Sequence, residues 1–151
     1  MYQRILVPVD GSPTSDNGLN EAIAVGKLTG ARLRLIHVVD ELSFAMGADA
    51  FASYAGDLIG MLKEGGEKTL AEAKAKVEAA GLAVDTTLVE SFQGRVSDLV
   101  IKEATDWPAE LIVIGTHGRR GAKRMFMGSD AEQVLRTAPV PVLLVRNQAA
   151  E

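Results

Sequence analysis

Short apolar runs alternate with longer segments of helical period along the whole chain. Ile5-Leu6-Val7 and Val9 make the stretch Arg4 to Asp10 almost continuously apolar, the pattern of a strand covered on both faces. Gly11 turns the chain, Ser12 is a helix-cap candidate and Pro13 suits a first helical position. The first helix then runs to about Thr29. Leu19, Ala22, Ile23 and Gly26 share one face, and Gly30 is the stop. Strand two is Arg32 to Val39. A second helix spans about Asp57 to Ala80, with Leu58, Leu62, Leu70, Ala73, Val77 and Ala80 in helical period. Gly65-Gly66 interrupts it at about 1 kcal/mol per glycine relative to alanine, which predicts a weak point or bend. Gly81 ends it. Strand three, Ala83 to Glu90, is the most polar and is expected at a sheet edge. Helix three begins near Gly94 or Arg95, buries Val96, Leu99, Val100 and Ala104, and ends before Trp107-Pro108. Strand four is Glu110 to Gly115, helix four Ser129 to about Thr137, and strand five Pro141 to Arg146.

Strict β-α alternation predicts an α/β fold: a single doubly wound domain over residues 1–151, with a five-stranded parallel sheet and four main helices on both faces. In such sheets ligands bind beyond the carboxyl ends of strands, where the winding direction reverses. The turns at Asp10-Gly11-Ser12 and from Gly115 onward both lie at carboxyl ends. They flank one crevice if strands one and four are neighbours. The last strand, apolar through Val142-Leu143-Leu144-Val145, predicts an exposed edge that must be covered. Pairing with the same strand of a second copy covers it and gives a two-fold homodimer; helix packing in a monomer is the alternative. The irregular stretch 40–56 carries Phe44, Met46, Phe51 and Tyr54. It reads either as a flexible lid or partner-contact segment, or as an extra helical turn tucking its aromatics onto the domain.

Composition narrows the chemistry. At 151 residues roughly 70% of the unfolded chain's surface can be buried, so stability requires no disulfide or metal. The chain has no cysteine, which removes thiolate chemistry and Cys-ligated zinc, and its two histidines argue against a His-rich metal site. No segment reaches the roughly 20 apolar residues of a membrane span. These features together predict a soluble cytoplasmic protein with no membrane partner. The net charge is −4, from 16 basic and 20 acidic residues. Setting Arg119, Arg120, Lys123 and Arg124 aside leaves 12 basic against 20 acidic, so positive charge is local. An acidic body argues against nucleic-acid binding, and one cationic loop suits a small anion.

That loop lies between the apolar run Leu111-Ile112-Val113-Ile114 and the helix start at Ser129. Glycines let backbone N–H groups approach an anion, a helix N-terminus supplies donors and a positive dipole end, and Arg and Lys supply charge. Neither Gly-x-x-x-x-Gly-Lys-[Ser/Thr] nor a Gly-x-Gly-x-x-Gly after a strand occurs. The pattern present is Gly115-x2-Gly118-x9-Gly128-Ser129. It resembles the nucleotide-binding motif of the universal stress protein family, in its ATP-binding branch. The resemblance covers nearly the whole chain. It includes Ile5-Leu6-Val7-Pro8-Val9-Asp10-Gly11-Ser12, His37-Val38-Val39, Leu111 to Gly118, and Ala138-Pro139-Val140-Pro141-Val142-Leu143-Leu144-Val145-Arg146.

The resemblance implies strand order 3-2-1-4-5, ATP as ligand and a dimer through the last strand. It implies that Gly115, Gly118, Gly128 and Ser129 hold the phosphates and that Asp10 faces the ribose. Pro8 and Val9 would line the nucleoside, and the Val38 backbone would meet adenine. Arg119 is expected to add phosphate charge. Function is then expected to be that of a nucleotide-dependent signalling and stress-resistance module. The alternative is a slow ATPase or phosphoryl-transfer enzyme, for which His117, Asp10 and the cations are the available groups and nothing pairs them. A phospho-receiver domain needs an acidic pair after strand one, an Asp after strand three and a Lys near strand five. Here those places hold Asp10 alone, Glu90-Ser91 and Val145-Arg146.

Ser129-x-x-Glu132 also reads as a capping box, which would compete with phosphate for the same donors. Asp130 and Glu132 add negative charge there, so a Mg²⁺ or Mn²⁺ ion carried with the nucleotide is expected unless the acids point away. His117 reads as a phosphate contact or a solvated residue, with an acid–base role as the alternative. His37 reads as a hydrogen-bonded structural residue. Asp10, helped by Asp40, could ligate a metal instead of facing ribose, but Mg²⁺ commonly uses few carboxylates plus phosphates.

Overall fold

The computed structural model describes residues 1–39, 55–90, 94–116 and 129–146, with side chains of the second block from residue 59. Its elements are β1 (Arg4–Pro8), α1 (Pro13–Thr29), β2 (Arg32–Val39), α2 (Ala55–Ala79), β3 (Val84–Glu90), α3 (Val96–Asp106), β4 (Leu111–Gly115), α4 (Ser129–Thr137) and β5 (Val142–Val145). The five strands are parallel in the order β3-β2-β1-β4-β5. The polar strand β3 and the apolar strand β5 are the two edges, as expected. The segment 40–54 lies outside the described residues.

Alternating side chains divide the core into two layers. Ile5, Val7, Leu33, Leu35 and Val113 face α1 and α2, where they meet Leu19, Ala22, Ile23, Leu70, Ala73 and Val77. Leu6, Ile36, Ile112 and Ile114 face α3 and α4, where they meet Val100, Ala104, Ala131 and Val134. The central strand β1 is closed to solvent at Ile5, Leu6 and Val7, each 0% exposed, which is why its sequence shows no polar alternation.

Local signals account for most ends. Ser12 caps α1, its hydroxyl accepting from the Ser15 N–H, with Pro13 in the first turn. Gly30 closes α1 in the left-handed region at φ 74. α3 stops at Asp106, before Trp107-Pro108. The β3 edge is tied by Arg32 to Asp85 at 3.1 Å and by Arg34 to Asp85 at 3.7 Å and to Glu103 at 2.7 Å. The Arg34 guanidinium also lies 4.8 Å from the Trp107 ring centroid.

Helix α2 is continuous through Gly65-Gly66. Gly66 is buried there, and a Cβ on it would lie 2.6 Å from His37 Cδ2, so its lack of a side chain is a packing requirement. β1 ends at Pro8 rather than at Asp10: toward β4 Pro8 has no N–H to give, and toward β2 the Val9 carbonyl is taken by the His37 ring. No helix among the described residues is long and apolar enough to cross a membrane.

Candidate functional site

Strands β1 and β4 are adjacent, so the two special turns flank one crevice where the strand order reverses. The β1 side is built from short polar side chains folded onto backbone. Val9 N–H donates to Ile36 O at 2.9 Å, and the His37 ring donates from Nδ1 to Val9 O at 2.8 Å. Asp10 N–H donates to Ser15 Oγ at 3.0 Å, and Ser12 N–H to Asp10 Oδ1 at 2.9 Å. Ser15 N–H donates to Ser12 Oγ at 3.1 Å. Gly11 takes φ 81 within this ring of bonds, a value that disfavours a side chain. Ser12 and Ser15 are buried but satisfied, as buried hydroxyls must be. Asp10 is half-buried with one carboxylate oxygen holding the turn; a carboxylate has lone pairs for further donors.

Pro8 opens the crevice. Successive residues of a strand direct their backbone bonds to alternate neighbours, and Val9 bonds to β2. Pro8 therefore faces β4 and has no N–H to give it. The β1–β4 ladder stops at Ile5–Leu111 and Leu6–Ile112, whereas β1 pairs with β2 through all five residues to Pro8–Ile36.

The β4 side is built from missing side chains. A Cβ on Gly115 would lie 2.6 Å from Thr14 O and 2.8 Å from Thr14 Cγ2. A Cβ on Gly18 would lie 3.2 Å from Gly115 N. The first turns of α1 thus rest directly on the end of β4, and Gly115 is demanded by packing as well as by any anion. The next residue, Thr116, is buried and donates its N–H to Val145 O at 3.0 Å.

Of the expected nucleotide contacts, Pro8, Val9, Asp10, Val38, Gly115 and Ser129 fall within described residues. The ends of β1, β2 and β4 bring the first five to the carboxyl end of the sheet. Val9 is 5% exposed and packs in the α1/α2 layer, whereas Val38 packs against the α3/α4 layer. A ligand at the strand ends would therefore meet the backbone of these residues more than their side chains. Gly118, Arg119 and Gly128 lie outside the described residues, as do His117, Arg120, Lys123, Arg124 and Asp40.

The capping-box expectation is not met. Ser129 is the first helical residue of α4, not its flank. The Glu132 carboxylate instead accepts from Arg136 one turn later at 2.9 Å, so part of its charge is compensated within the helix. His37 is hydrogen-bonded and buried, as expected, but its partner is the Val9 carbonyl beside the crevice. A separate cleft of about 470 Å³ lies between the β1 turn and α2, with Gly11, Asp16, Thr69, Glu72 and Lys76 in its wall. Of the expected contacts within the described residues, Val9 alone borders it.

The sheet order, the crossovers and a polar turn over the switch point define a doubly wound α/β protein with its candidate site at the strand ends. Residues 1–146 match the sequence model of the universal stress protein family. The chain is 35% identical over 152 residues to universal stress protein MJ0531 of Methanocaldococcus jannaschii, a match spanning 100% of this chain and 86% of that one. It superposes on protein MJ0577 with a TM-score of 0.87 at 27% identity, over 99% of each chain. A universal stress family protein from Burkholderia pseudomallei superposes with a TM-score of 0.78 at 32% identity, over 95% of this chain and 96% of that one. The chain belongs to the universal stress protein family.

Proposed function

We propose that this chain binds ATP in the crevice between β1 and β4 and acts as a nucleotide-dependent signalling and stress-resistance module of the cytoplasm. The observation that carries the reading is the hydrogen-bonded turn from Val9 to Ser15, set beside the opening that Pro8 leaves toward Gly115. It stands at the switch point where such sheets bind ligands, and the glycine pattern Gly115-x2-Gly118-x9-Gly128-Ser129 continues from it. In this reading Gly115, Gly118, Arg119, Gly128 and Ser129 hold phosphate, Asp10 meets the ribose, and Pro8, Val9 and Val38 border the nucleoside. Two proteins that share the fold were solved with adenine nucleotides: a universal stress protein with cAMP, 23% identical at TM-score 0.64, and an Arabidopsis thaliana family protein with AMP, 15% identical at TM-score 0.71. That likeness is one of fold.

Among the described residues no three His, Asp or Glu side chains converge on a metal position. In this reading the Mg²⁺ or Mn²⁺ rides on the phosphates, the usual arrangement for Mg²⁺ with nucleotides. Mass spectrometry of what co-purifies with the native chain, with calorimetric titration of ATP and Mg²⁺, tests the reading. Saturable binding abolished by Gly128→Val is expected; no nucleotide and no heat would sink it. Single-turnover incubation with Mg²⁺ separates binding from hydrolysis, and phosphate release no faster than background is expected.

The proposal includes a homodimer through β5. Val142, Leu143, Leu144 and Val145 are all apolar and all half-buried on an edge. Pro141 O and Val145 O accept from β4, so by alternation Val142 and Leu144 turn their backbone groups outward. Leu144→Pro removes one outward N–H and leaves the β4 ladder intact. Light scattering is expected to find a wild-type dimer and a monomeric variant; a wild-type monomer would remove this part of the proposal.

A further inference from the structure

We propose that His37 is a positioning residue for the nucleoside end of the site and that Gly66 keeps its ring in place. The inference rests on the nucleotide reading above and gives His37 a role beyond that of a buried structural residue. His37 is 8% exposed, near the end of β2. Its Nδ1 lies 2.8 Å from Val9 O. A carbonyl can only accept, so Nδ1 carries the proton in this contact.

The consequence follows from strand alternation. Arg32 N–H donates to Gln3 O and Val9 N–H donates to Ile36 O, so the even-numbered residues of β2 face β1. Val38 therefore also turns its peptide groups toward β1. Continuing the ladder would tie Val38 N–H to Val9 O, yet the β1–β2 ladder ends at Pro8–Ile36. The imidazole takes the Val9 carbonyl in place of the next ladder bond. Val9 is then held at both polar groups, by Ile36 backbone and by His37 side chain, while β1 leaves the sheet into the Asp10 turn. The edge of Val38 is left facing the crevice, where a planar heterocycle can meet a backbone donor and acceptor.

Gly66 closes the arrangement from the other side. A Cβ there would lie 2.6 Å from His37 Cδ2 and 3.0 Å from Nε2, and 2.9 Å from Leu88 Cδ1. Its neighbour Gly65 has nothing within 4 Å. Of the glycine pair in α2, one abuts the ring and the other faces open space. The ring is held between the Val9 carbonyl and the backbone of α2, so a displacement of α2 at Gly66 is felt at Val9 and Val38.

The test is calorimetric titration of ATP and Mg²⁺ into the full chain, with circular dichroism to match folded fractions. His37→Asn places an amide N–H close to the Nδ1 position and is expected to keep affinity within about threefold of wild type, whereas His37→Leu keeps bulk without a donor and is expected to lose about tenfold, the upper range for one hydrogen bond. Gly66→Ala is expected to weaken binding several-fold when His37 is intact and to be largely relieved in the His37→Asn background, where the colliding ring edge is gone and only the end of the flexible Leu88 side chain must turn aside; this pair decides the matter if the leucine variant does not fold. Folded His37→Leu binding as wild type, equal losses for the two His37 variants, or a Gly66→Ala loss that persists undiminished in the His37→Asn background would each overturn the inference while wild type still binds. Wild type that binds no ATP would overturn the nucleotide reading and this inference with it.

Discussion

The two sides of the crevice solve the same positioning problem by opposite means. On the β1 side, Asp10, Ser12, Ser15 and His37 hold the backbone with side-chain hydrogen bonds of 2.8 to 3.1 Å. On the β4 side, Gly115 and Gly18 hold nothing; their missing side chains let α1 lie on the strand end. Hydrogen bonds contribute about 1 kcal/mol each, and neighbours and water can replace part of a lost one. A backbone collision cannot be relieved by turning a side chain. The β1 side should therefore degrade by steps and the β4 side should fail at a single substitution.

The largest expected effect is Gly115→Ala. The added carbon meets the Thr14 backbone at O, 2.6 Å, and C, 3.0 Å, besides the Thr14 Cγ2 methyl at 2.8 Å. Overpacking of this kind costs about 1–3 kcal/mol, and we expect the upper part of that range, read as a fall of roughly 6 to 12 °C in the thermal midpoint at about 2–4 °C per kcal/mol. Nucleotide affinity should fall with it, since α1 and the Asp10 turn must shift together. Unchanged stability would mean that Gly115 serves a ligand alone and that the two sides are not built differently.

Ser12→Ala comes next. It removes the cap acceptor for Ser15 N–H, and loss of a serine cap costs about 1 kcal/mol. The Asp10–Ser12 and Asp10–Ser15 bonds survive, because Ser12 uses its backbone N–H in the first and takes no part in the second. Chemical denaturation should give a midpoint shift with the slope unchanged. A loss as large as that at Gly115 would show the turn to be all-or-none.

What the sequence discloses depends on how local each cause is. Strand order and layer assignment are legible because apolar runs such as Leu111 to Ile114, alternating with helical segments, leave few ways to wind a parallel sheet. Ser12 is legible as a cap, since its partner is three residues away. The His37 contact with Val9 spans 28 residues and exists only in the register that sets Pro8 against Ile36. No periodicity encodes it. The strand β1 stops two residues short of Asp10, and only half of the reason is in the sequence: Pro8 lacks a donor for β4, whereas on the β2 side the ladder ends at the His37–Val9 contact. Ser129 and Glu132 have the spacing of a capping box, but Arg136 at i+4 wins the carboxylate.

Gly65 and Gly66 show the same limit within one helix. Both cost helix propensity, and spacing alone cannot tell them apart. The fold does, because Gly66 abuts His37 and Gly65 faces open space. Gly65→Ala should therefore stabilise the chain by somewhat under 1 kcal/mol. A thermal midpoint raised by roughly 2 °C is expected, and a lowered midpoint would mean that α2 needs freedom at this position.

The smallest effect is expected at Gly18→Ala, where the two modes of the crevice meet in one residue. Gly18 is inside α1, so alanine gains about 1 kcal/mol of helix propensity. Its Cβ would also lie 3.2 Å from Gly115 N and 3.6 Å from Ile114 C, tight enough to require a small shift. Both contacts are again backbone, but the approach of 3.2 Å is looser than the 2.6 Å of Gly115 onto Thr14. On a steep repulsive wall that margin turns a collision into a squeeze, so gain and cost should nearly cancel. A stability change within about 0.5 kcal/mol is expected by denaturation, together with a measurable loss of nucleotide affinity as α1 rises off β4. A variant destabilised as far as Gly115→Ala would show that α1 and β4 meet with no tolerance at all. A clear stabilisation with affinity intact would show that the seat of α1 on the strand end has room to spare, and that Gly115 alone sets the β4 side.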